Sequence, residues 1–175
     1  MLRRIKSRTS PLIVRDLYLR TVLPMIEYAA TVWSGLSATD AKRLEPCNCA
    51  AARVITGLSP SDNVPPDILL ARAGLDKLEV RRRVAQVQFV VGLLDGKQPS
   101  HLSAALSHWL PNALSSQPAR ESLRDPLLRL PRPKKNSLKL SPLYLSFSTW
   151  NSLPKPIRSA PSRDSVTAFF QSACL

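Results

Sequence analysis

The acidic side chains of this sequence are spaced in a way that argues against phosphoryl-transfer chemistry. Two-metal catalysis needs carboxylates placed close together, because they must share magnesium or manganese ions. The chain has 12 Asp and Glu, and no two aspartates are adjacent. The sequence therefore predicts no catalytic residue and no enzymatic activity of the chain alone.

The cysteines and histidines are a second group that could do chemistry. Cys47 and Cys49 lie two residues apart, with His101, His108 and Cys174 elsewhere in the chain. Residues two apart on a helix point to nearly opposite faces, so this pair cannot chelate one metal ion. Only five glycines are available for phosphate-binding loops. We therefore expect neither a metal nor another cofactor.

The basic residues give the strongest indication of function. The chain has 25 Lys and Arg and a net charge of +13. Such an excess favours contact with the phosphates of RNA or DNA, bound weakly, salt-dependently and without regard to sequence. Arg3, Arg4, Lys6 and Arg8 form one cluster. The candidate phosphate contacts come from two others: Arg81, Arg82, Arg83, Arg132, Lys134, Lys135 and Lys139.

Other interpretations of the charge remain open. A soluble basic protein, or one whose acidic partner domain is missing, has the same composition. Anionic membrane surfaces attract the same charge. No apolar run reaches the roughly 18 residues of a membrane span, however, and we expect no membrane partner. The odd number of cysteines indicates a reducing, intracellular location, cytoplasmic or nuclear. Residues 1–15 are either a basic loop or a transit peptide.

The patterning around these residues predicts a mostly α-helical fold. An apolar helix with one narrow polar stripe is expected over Leu12–Ser34, with a kink at Pro24. A second helix is expected over Ala38–Thr56, where Pro46 is a local conflict and Gly57 a stop signal. A short helix over Pro66–Ala73 follows.

The helix predicted next is the best specified. Asp76 and Glu79 form an N-terminal cap pair, and Gly96 is the expected end. Its core-facing seam is expected to comprise Val80, Val84, Val87, Val91 and Leu94. A short amphipathic helix is plausible near His101–Leu110.

Composition divides the chain into three parts. A small helical bundle is expected over residues 1–110, followed by a basic, Pro- and Ser-rich, partly disordered linker over 111–141. Residues 142–175 are expected to form a C-terminal helical tail that packs back on the bundle. Ser162 is the expected cap of its last helix, which would bury Val166, Phe169 and Phe170.

Five short patterns, in order, resemble the region after the palm in reverse transcriptases of LINE-type (non-LTR) retrotransposons. They start at Leu17-Tyr18 with Pro24, Tyr28-Ala29 and Trp33, and continue through Ala51–Gly57, Ala73-Gly74-Leu75 and Arg81–Arg83 to Trp150-Asn151-Ser152-Leu153-Pro154, Ile157-Arg158 and Phe169. The resemblance covers nearly the whole chain outside the linker. Where family members carry a Gln and basic residues, this chain has Pro46–Ala50.

The resemblance implies that residues 1–110 are a thumb-like domain that helps to hold template RNA and primer DNA. The chain would then be a truncated C-terminal segment of an RNA-directed DNA polymerase that lacks the catalytic palm. The aromatic and leucine positions of the motifs would be structural anchors: Tyr28, Trp33, Trp150, Leu153 and Phe169. The alternative is a non-functional relic, or a protein-interaction module whose apolar helices pack on the missing polymerase core.

Overall fold

The computed structural model of the chain describes residues 9–28, 30–32, 35, 38–97, 99–102, 128, 130 and 135–173. These residues are mostly α-helical and contain no strand, which confirms the predicted fold class. The chain divides into two compact units. Unit 1 comprises residues 1–30 and 36–81, and unit 2 comprises residues 31–35 and 82–175. This division differs from the predicted boundaries at 110 and 141, which stay a prediction.

The first helical segment of unit 1 has three parts: α1 (Pro11–Leu17), a π-helical turn (Tyr18–Val22) and α2 (Leu23–Glu27). The π turn stands just before Pro24, where a proline ring would collide with the carbonyl of an ordinary turn. A wider turn gives that ring room, and the Leu23 N–H donates to the Tyr18 carbonyl.

The predicted end of this helix at Ser34 is wrong. The helix ends at Glu27, because Tyr28 leaves helical geometry with φ −53° and ψ 124°. The polar-stripe argument treated the segment as one continuous α-helix, and it could not detect this change of backbone direction.

The next two helices agree with the predictions. α3 spans Ala38–Thr56 and α4 spans Pro66–Ala73. Gly57 and Gly74 follow them with positive φ, a conformation that favours glycine at helix ends. Pro46 lies inside α3 on its exposed side, where water can satisfy the carbonyl one turn back.

The core of unit 1 joins these helices. Arg15 of α1 closes the end of α4, since its Nε donates to the Ala73 carbonyl at 3.2 Å and its Nη2 to the Gly74 carbonyl at 2.9 Å. A cation at this place also suits the negative end of the helix dipole. The main buried side chains are Val14, Tyr18, Leu23, Ala51, Ala52, Ile55, Leu69, Leu70 and Ala73.

α5 spans Leu78–Leu94, and the division between the units falls within it, after Arg81. The Leu78 N–H donates to the Glu45 carboxylate at 3.1 Å, so a side chain of α3 caps one main-chain group at the start of α5. The Asp76–Glu79 cap pair stays a prediction. Gly96 follows the helix with φ 69°, as predicted.

The predicted core seam of α5 is correct only in its first part. Val80, Val84 and Val87 are buried, while Val91 and Leu94 are only half-buried. Their places are taken by the residues one position earlier, Val90 and Leu93. The buried face of α5 therefore turns in the second half of the helix, which belongs wholly to unit 2.

Four helices form the C-terminal part of unit 2: α6 (Asn136–Lys139), α7 (Pro142–Ser152), α8 (Lys155–Ser159) and α9 (Arg163–Ser172). α6 lies within the predicted linker, and the linker stays a prediction. Ser162 caps α9 as predicted, and Val166 and Phe170 are buried. The predicted helix near His101–Leu110 and most of 111–134 lie outside the described residues.

Candidate nucleic-acid interface

The predicted basic clusters are described only in part. The cluster at residues 3–8 lies outside the described residues, as do Arg132 and Lys134. Arg81, Arg82 and Arg83 follow one another on α5, across the division between the units. Lys135 directly precedes α6 and Lys139 is its last residue, and both side chains are exposed.

Arg81 must be removed from the candidates for phosphate contact. Its Nε and Nη2 both donate to the Glu27 carboxylate, the second over 3.0 Å, and its Nη1 lies 3.7 Å from Asp76. Its side chain is 20% exposed. The hydrogen bond to Glu27 raises the pKa of Arg81, so this guanidinium is fixed as an internal cation. Sequence spacing alone could not reveal a partner 54 positions away.

Arg81 borders a polar network that the sequence analysis missed. The Tyr18 hydroxyl donates to the Asn48 Oδ1 at 2.9 Å. The Asn48 Nδ2 donates to the Glu45 Oε1 at 3.1 Å and to the Asp76 carbonyl at 3.0 Å. Burial, and then the nearby Glu45 charge, raises the pKa of Tyr18 to about 12. The network ties the first helical segment to α3 and to the start of α5, which is a structural role.

Arg82 and Arg83 belong to unit 2 and are half-exposed. The Arg83 guanidinium carbon lies 5.6 Å from the centre of the Phe170 ring. Phe170 is itself in edge-to-face contact with Phe169, with ring centres 5.2 Å apart. Stacking on a ring fixes a guanidinium in place while its N–H donors stay at its edge. Such an arrangement suits contact with a phosphate.

Lys135 and Lys139 lie four positions apart in the sequence, and both side chains are exposed. Among the described carboxylates, none forms an ion pair with either lysine. Two exposed ammonium groups so placed can contact neighbouring phosphates without reading base sequence.

The proposed structural anchors differ in burial. Trp150 is 0% exposed and Leu153 is 1% exposed, while Phe169 is half-buried. Tyr28 is 81% exposed, which corrects its assignment as a buried anchor. The reason is that the helix ends at Glu27, so Tyr28 no longer shares a helix face with the core. Trp33 lies outside the described residues.

Asn151 of the Trp150–Pro154 motif, and Arg158 shortly after the motif, form hydrogen bonds with main-chain groups. Asn151 pairs with both main-chain groups of Leu128: its Oδ1 accepts from the N–H at 2.9 Å, and its Nδ2 donates to the carbonyl at 2.7 Å. Arg158 is buried, and its Nη1 donates to the Leu153 carbonyl. No sequence pattern indicated that Leu128, in a Pro- and Ser-rich tract, is buried, yet it is 3% exposed.

The two units differ in charge. Unit 2 has 13 Lys and Arg against four acidic residues, whereas unit 1 has 12 against eight. Four of the basic residues of unit 1 lie in residues 1–8, and the rest equal its acids in number. The charge excess of the chain is therefore concentrated in unit 2 and at the N-terminus.

Two further findings concern metals and membranes. Within the described ranges, no three His, Cys, Asp or Glu side chains are grouped as a metal site would need. Cys47 is exposed and Cys49 buried, as expected for alternate faces of a helix. No described helix combines the length and the apolar character needed to cross a membrane. No family model matches the chain, and no curated protein or solved structure is found to be similar to it.

Proposed function

We propose that this chain binds RNA or DNA through the phosphate backbone, without regard to sequence, and that unit 2 makes the contact. The observation that carries this proposal is the charge difference between the units. Unit 2 contains 13 basic and four acidic residues. An excess of this kind raises the local concentration of polyanions and gains free energy by releasing counterions.

The described side chains support unit 2 as the contact region. Lys135 and Lys139 are exposed, and the Arg83 guanidinium lies over the Phe170 ring. In unit 1, Arg81 pairs with the Glu27 carboxylate and its side chain is only 20% exposed, so it is not available to a phosphate. Exposed ion pairs occur in both units, between Arg43 and Asp40 and between Lys97 and Asp95, and such pairs are weak.

The broader role that we propose is that of a post-palm segment of a LINE-type reverse transcriptase. The ordered motifs from Leu17-Tyr18 to Phe169 support it, and so does the burial of Trp150 and Leu153. The segment carries no catalytic aspartate pair. In this proposal it does no chemistry alone and contributes nucleic-acid binding to a polymerase core.

The test is a titration of the chain with single-stranded RNA and duplex DNA at several salt concentrations. We expect log K to fall linearly with log salt, with a slope near −0.7 to −0.9 for each phosphate contacted. Replacing Lys135 and Lys139 by Ala should reduce affinity and flatten the slope. Replacing Arg43 and Arg72 by Ala removes the same charge from unit 1 and is the matched control.

Two results would contradict the proposal. One is a lack of binding at the lowest salt concentration. The other is an equal loss from both pairs of substitutions, since net charge rather than unit 2 would then account for binding.

A second candidate function, a protein-interaction module or its relic, is favoured by exposed apolar side chains of unit 1. Leu12 is 74% exposed, Met25 78% and Tyr28 81%, all in or next to the first helical segment. Exposed apolar groups of this size mark contact surfaces when they adjoin one another. If this candidate is correct, the isolated chain aggregates, binds no nucleic acid, and becomes soluble when it is co-expressed with a polymerase core.

A further inference from the structure

A groove of about 240 Å³ lies between the second half of α5 and the start of α9, wholly within unit 2. Its apolar lining comes from Val87 and Val91 of α5, from Pro161, and from Val166 of α9. Val91, a predicted core residue, is half-buried where it lines this groove. A concave and largely apolar surface is typical of ligand sites, and a groove of this volume suits one small group.

Gln88 lines the same groove and is exposed. Its side-chain amide offers both a donor and an acceptor of hydrogen bonds. Nucleobases carry donors and acceptors on their edges, and their faces pack on apolar side chains. The groove therefore combines a surface for the face of a base with a group for its edge.

The charged residues of the lining favour an anionic ligand. They are two cations, Lys97 and Arg163, against one acid, Asp95. The Lys97 Nζ lies 2.9 Å from the Asp95 Oδ2, and exposed ion pairs of this kind are weak. Arg163 is exposed at the first position of α9. A phosphate at this end of the groove would therefore meet cations in excess.

A further cation, Arg83, stands one helical turn beyond the groove. Arg83 lies four positions before Val87, and Phe170 lies four positions after Val166, spacings that place each pair on one face of its helix. The Arg83 guanidinium carbon is 5.6 Å from the centre of the Phe170 ring. Arg83 is thus at the opposite end of the groove from the cations of the lining.

We propose that this groove accepts one unpaired base of single-stranded RNA or DNA, while the cations at its two ends contact the neighbouring phosphates. The inference rests on the proposed function of unit 2 and adds a contact with a base to the contacts with the backbone. A paired base is held in its stack and must be extruded before it can enter such a groove. The groove therefore adds affinity for single strands, whereas backbone contact is common to single strands and duplexes.

The experiment titrates the full chain at low salt with a DNA single strand of about 12 nucleotides and with an abasic strand of the same length. The abasic strand has the same phosphates and no bases. We expect the wild type to bind the abasic strand at least about fivefold more weakly, as the loss of one stacked base predicts.

Gly92→Leu fills the groove without changing its charge, because Gly92 lines it and contributes no side chain. This variant should bind the two strands with affinities within about twofold of each other. It should keep the wild-type affinity for the abasic strand and for a DNA duplex. Ala168→Leu is the matched control, since it adds a leucine at an exposed position of α9 outside the lining, and it should behave as the wild type. Near-UV circular dichroism checks that both variants fold.

Gln88→Ala covers the case in which Gly92→Leu does not fold. Gln88 is exposed, so its replacement should have little effect on stability. The variant should bind the base-bearing strand about two- to fivefold more weakly and should keep the wild-type affinity for the abasic strand. Unchanged affinity for both strands would overturn the inference.

The outcomes separate this inference from the proposed function. If the wild type binds neither strand at low salt, the proposed function itself fails. If the wild type binds both strands equally well, only the base site is overturned. A difference between the strands that persists in folded Gly92→Leu, or that is lost in Ala168→Leu as well, also overturns it, because the bases would then be bound elsewhere or the effect would be one of stability.

Discussion

In unit 1 the Arg81 guanidinium pairs with a carboxylate, whereas in unit 2 the Arg83 guanidinium lies over an aromatic ring and Lys135 and Lys139 are exposed. Arg81 and Arg83 stand two residues apart on α5 and illustrate both cases: one pairs with Glu27, the other stacks on Phe170. Net charge alone therefore does not locate a binding surface. Which cations are already paired decides where a polyanion can bind.

The largest expected effect separates the buried aromatic anchor of unit 2 from the exposed aromatic residue of unit 1. Replacing Trp150 by Ala should lower the free energy of unfolding by about 3–5 kcal/mol, because a fully buried indole leaves a cavity. Tyr28→Ala is the matched control and should cost less than about 0.5 kcal/mol, since its side chain is exposed. Urea denaturation measures both. If Trp150→Ala and Tyr28→Ala lowered the free energy of unfolding by similar amounts, the assignment of Trp150, and not Tyr28, as an anchor would be contradicted.

The polar network of unit 1 should show a smaller but coupled effect. Asn48→Ala removes the partner of the buried Tyr18 hydroxyl and of the Asp76 carbonyl, and should cost about 1–3 kcal/mol. In the double variant with Tyr18→Phe the loss should be less than the sum of the two single losses, because no hydroxyl remains unpaired. A double-mutant cycle by urea denaturation measures the coupling, and strict additivity would argue against the network.

Arg81 and Arg83 of α5 allow a direct comparison between the units. Arg81→Ala should reduce stability, because Glu27 loses its partner, and should leave RNA affinity within about twofold. Arg83→Ala should lower RNA affinity about two- to tenfold. It should lower the free energy of unfolding less than Arg81→Ala does. Salt-dependent RNA titration and urea denaturation of both variants make the test. If Arg81→Ala weakens binding more, the contact region is not confined to unit 2.

The smallest effect concerns alkaline pH and unit 1 alone. Tyr18 has its pKa raised from the ordinary 10.0 to about 12, because burial disfavours the phenolate. The neutral form is favoured in the folded chain, so this contribution to stability is complete below pH 10 and is lost as the pH rises towards 12. Thermal melts of wild type and Tyr18→Phe between pH 9 and 12 should converge over this range. If the melting temperatures of the two proteins differed by a constant amount from pH 9 to 12, the raised pKa of Tyr18 would be contradicted.

Local signals made part of the fold predictable. α3 and the cap of α9 were predicted at their observed positions, because Gly57 and Ser162 act within a turn of the helix that they end or begin. The bounds of α4 were also predicted. The buried residues of α5 were predicted only in its first half, at Val80, Val84 and Val87. Trp150 was predicted as an anchor from its type and position.

Long-range contacts could not be predicted in this way. Glu27 with Arg81, Glu45 with Leu78 and Asn151 with Leu128 are 54, 33 and 23 positions apart. No periodicity connects such pairs, and each joins a residue to a partner that only the folded chain brings close. The residues named for phosphate contact stay a prediction, and Arg81 is set apart from them because its guanidinium pairs with the Glu27 carboxylate.

The π turn at Tyr18–Val22 has a consequence for the phase of the first helical segment. The buried residues of this segment are Val14, Tyr18 and Leu23, so the spacing changes from four to five across the turn. One extra residue in the turn rotates everything after it by about 100°. Leu23 thereby faces the core in place of the half-buried Val22, and Pro24 stays exposed. The proline thus selects one of two possible registers, and an ordinary residue at position 24 would let Val22 and Leu23 compete for the same place in the core.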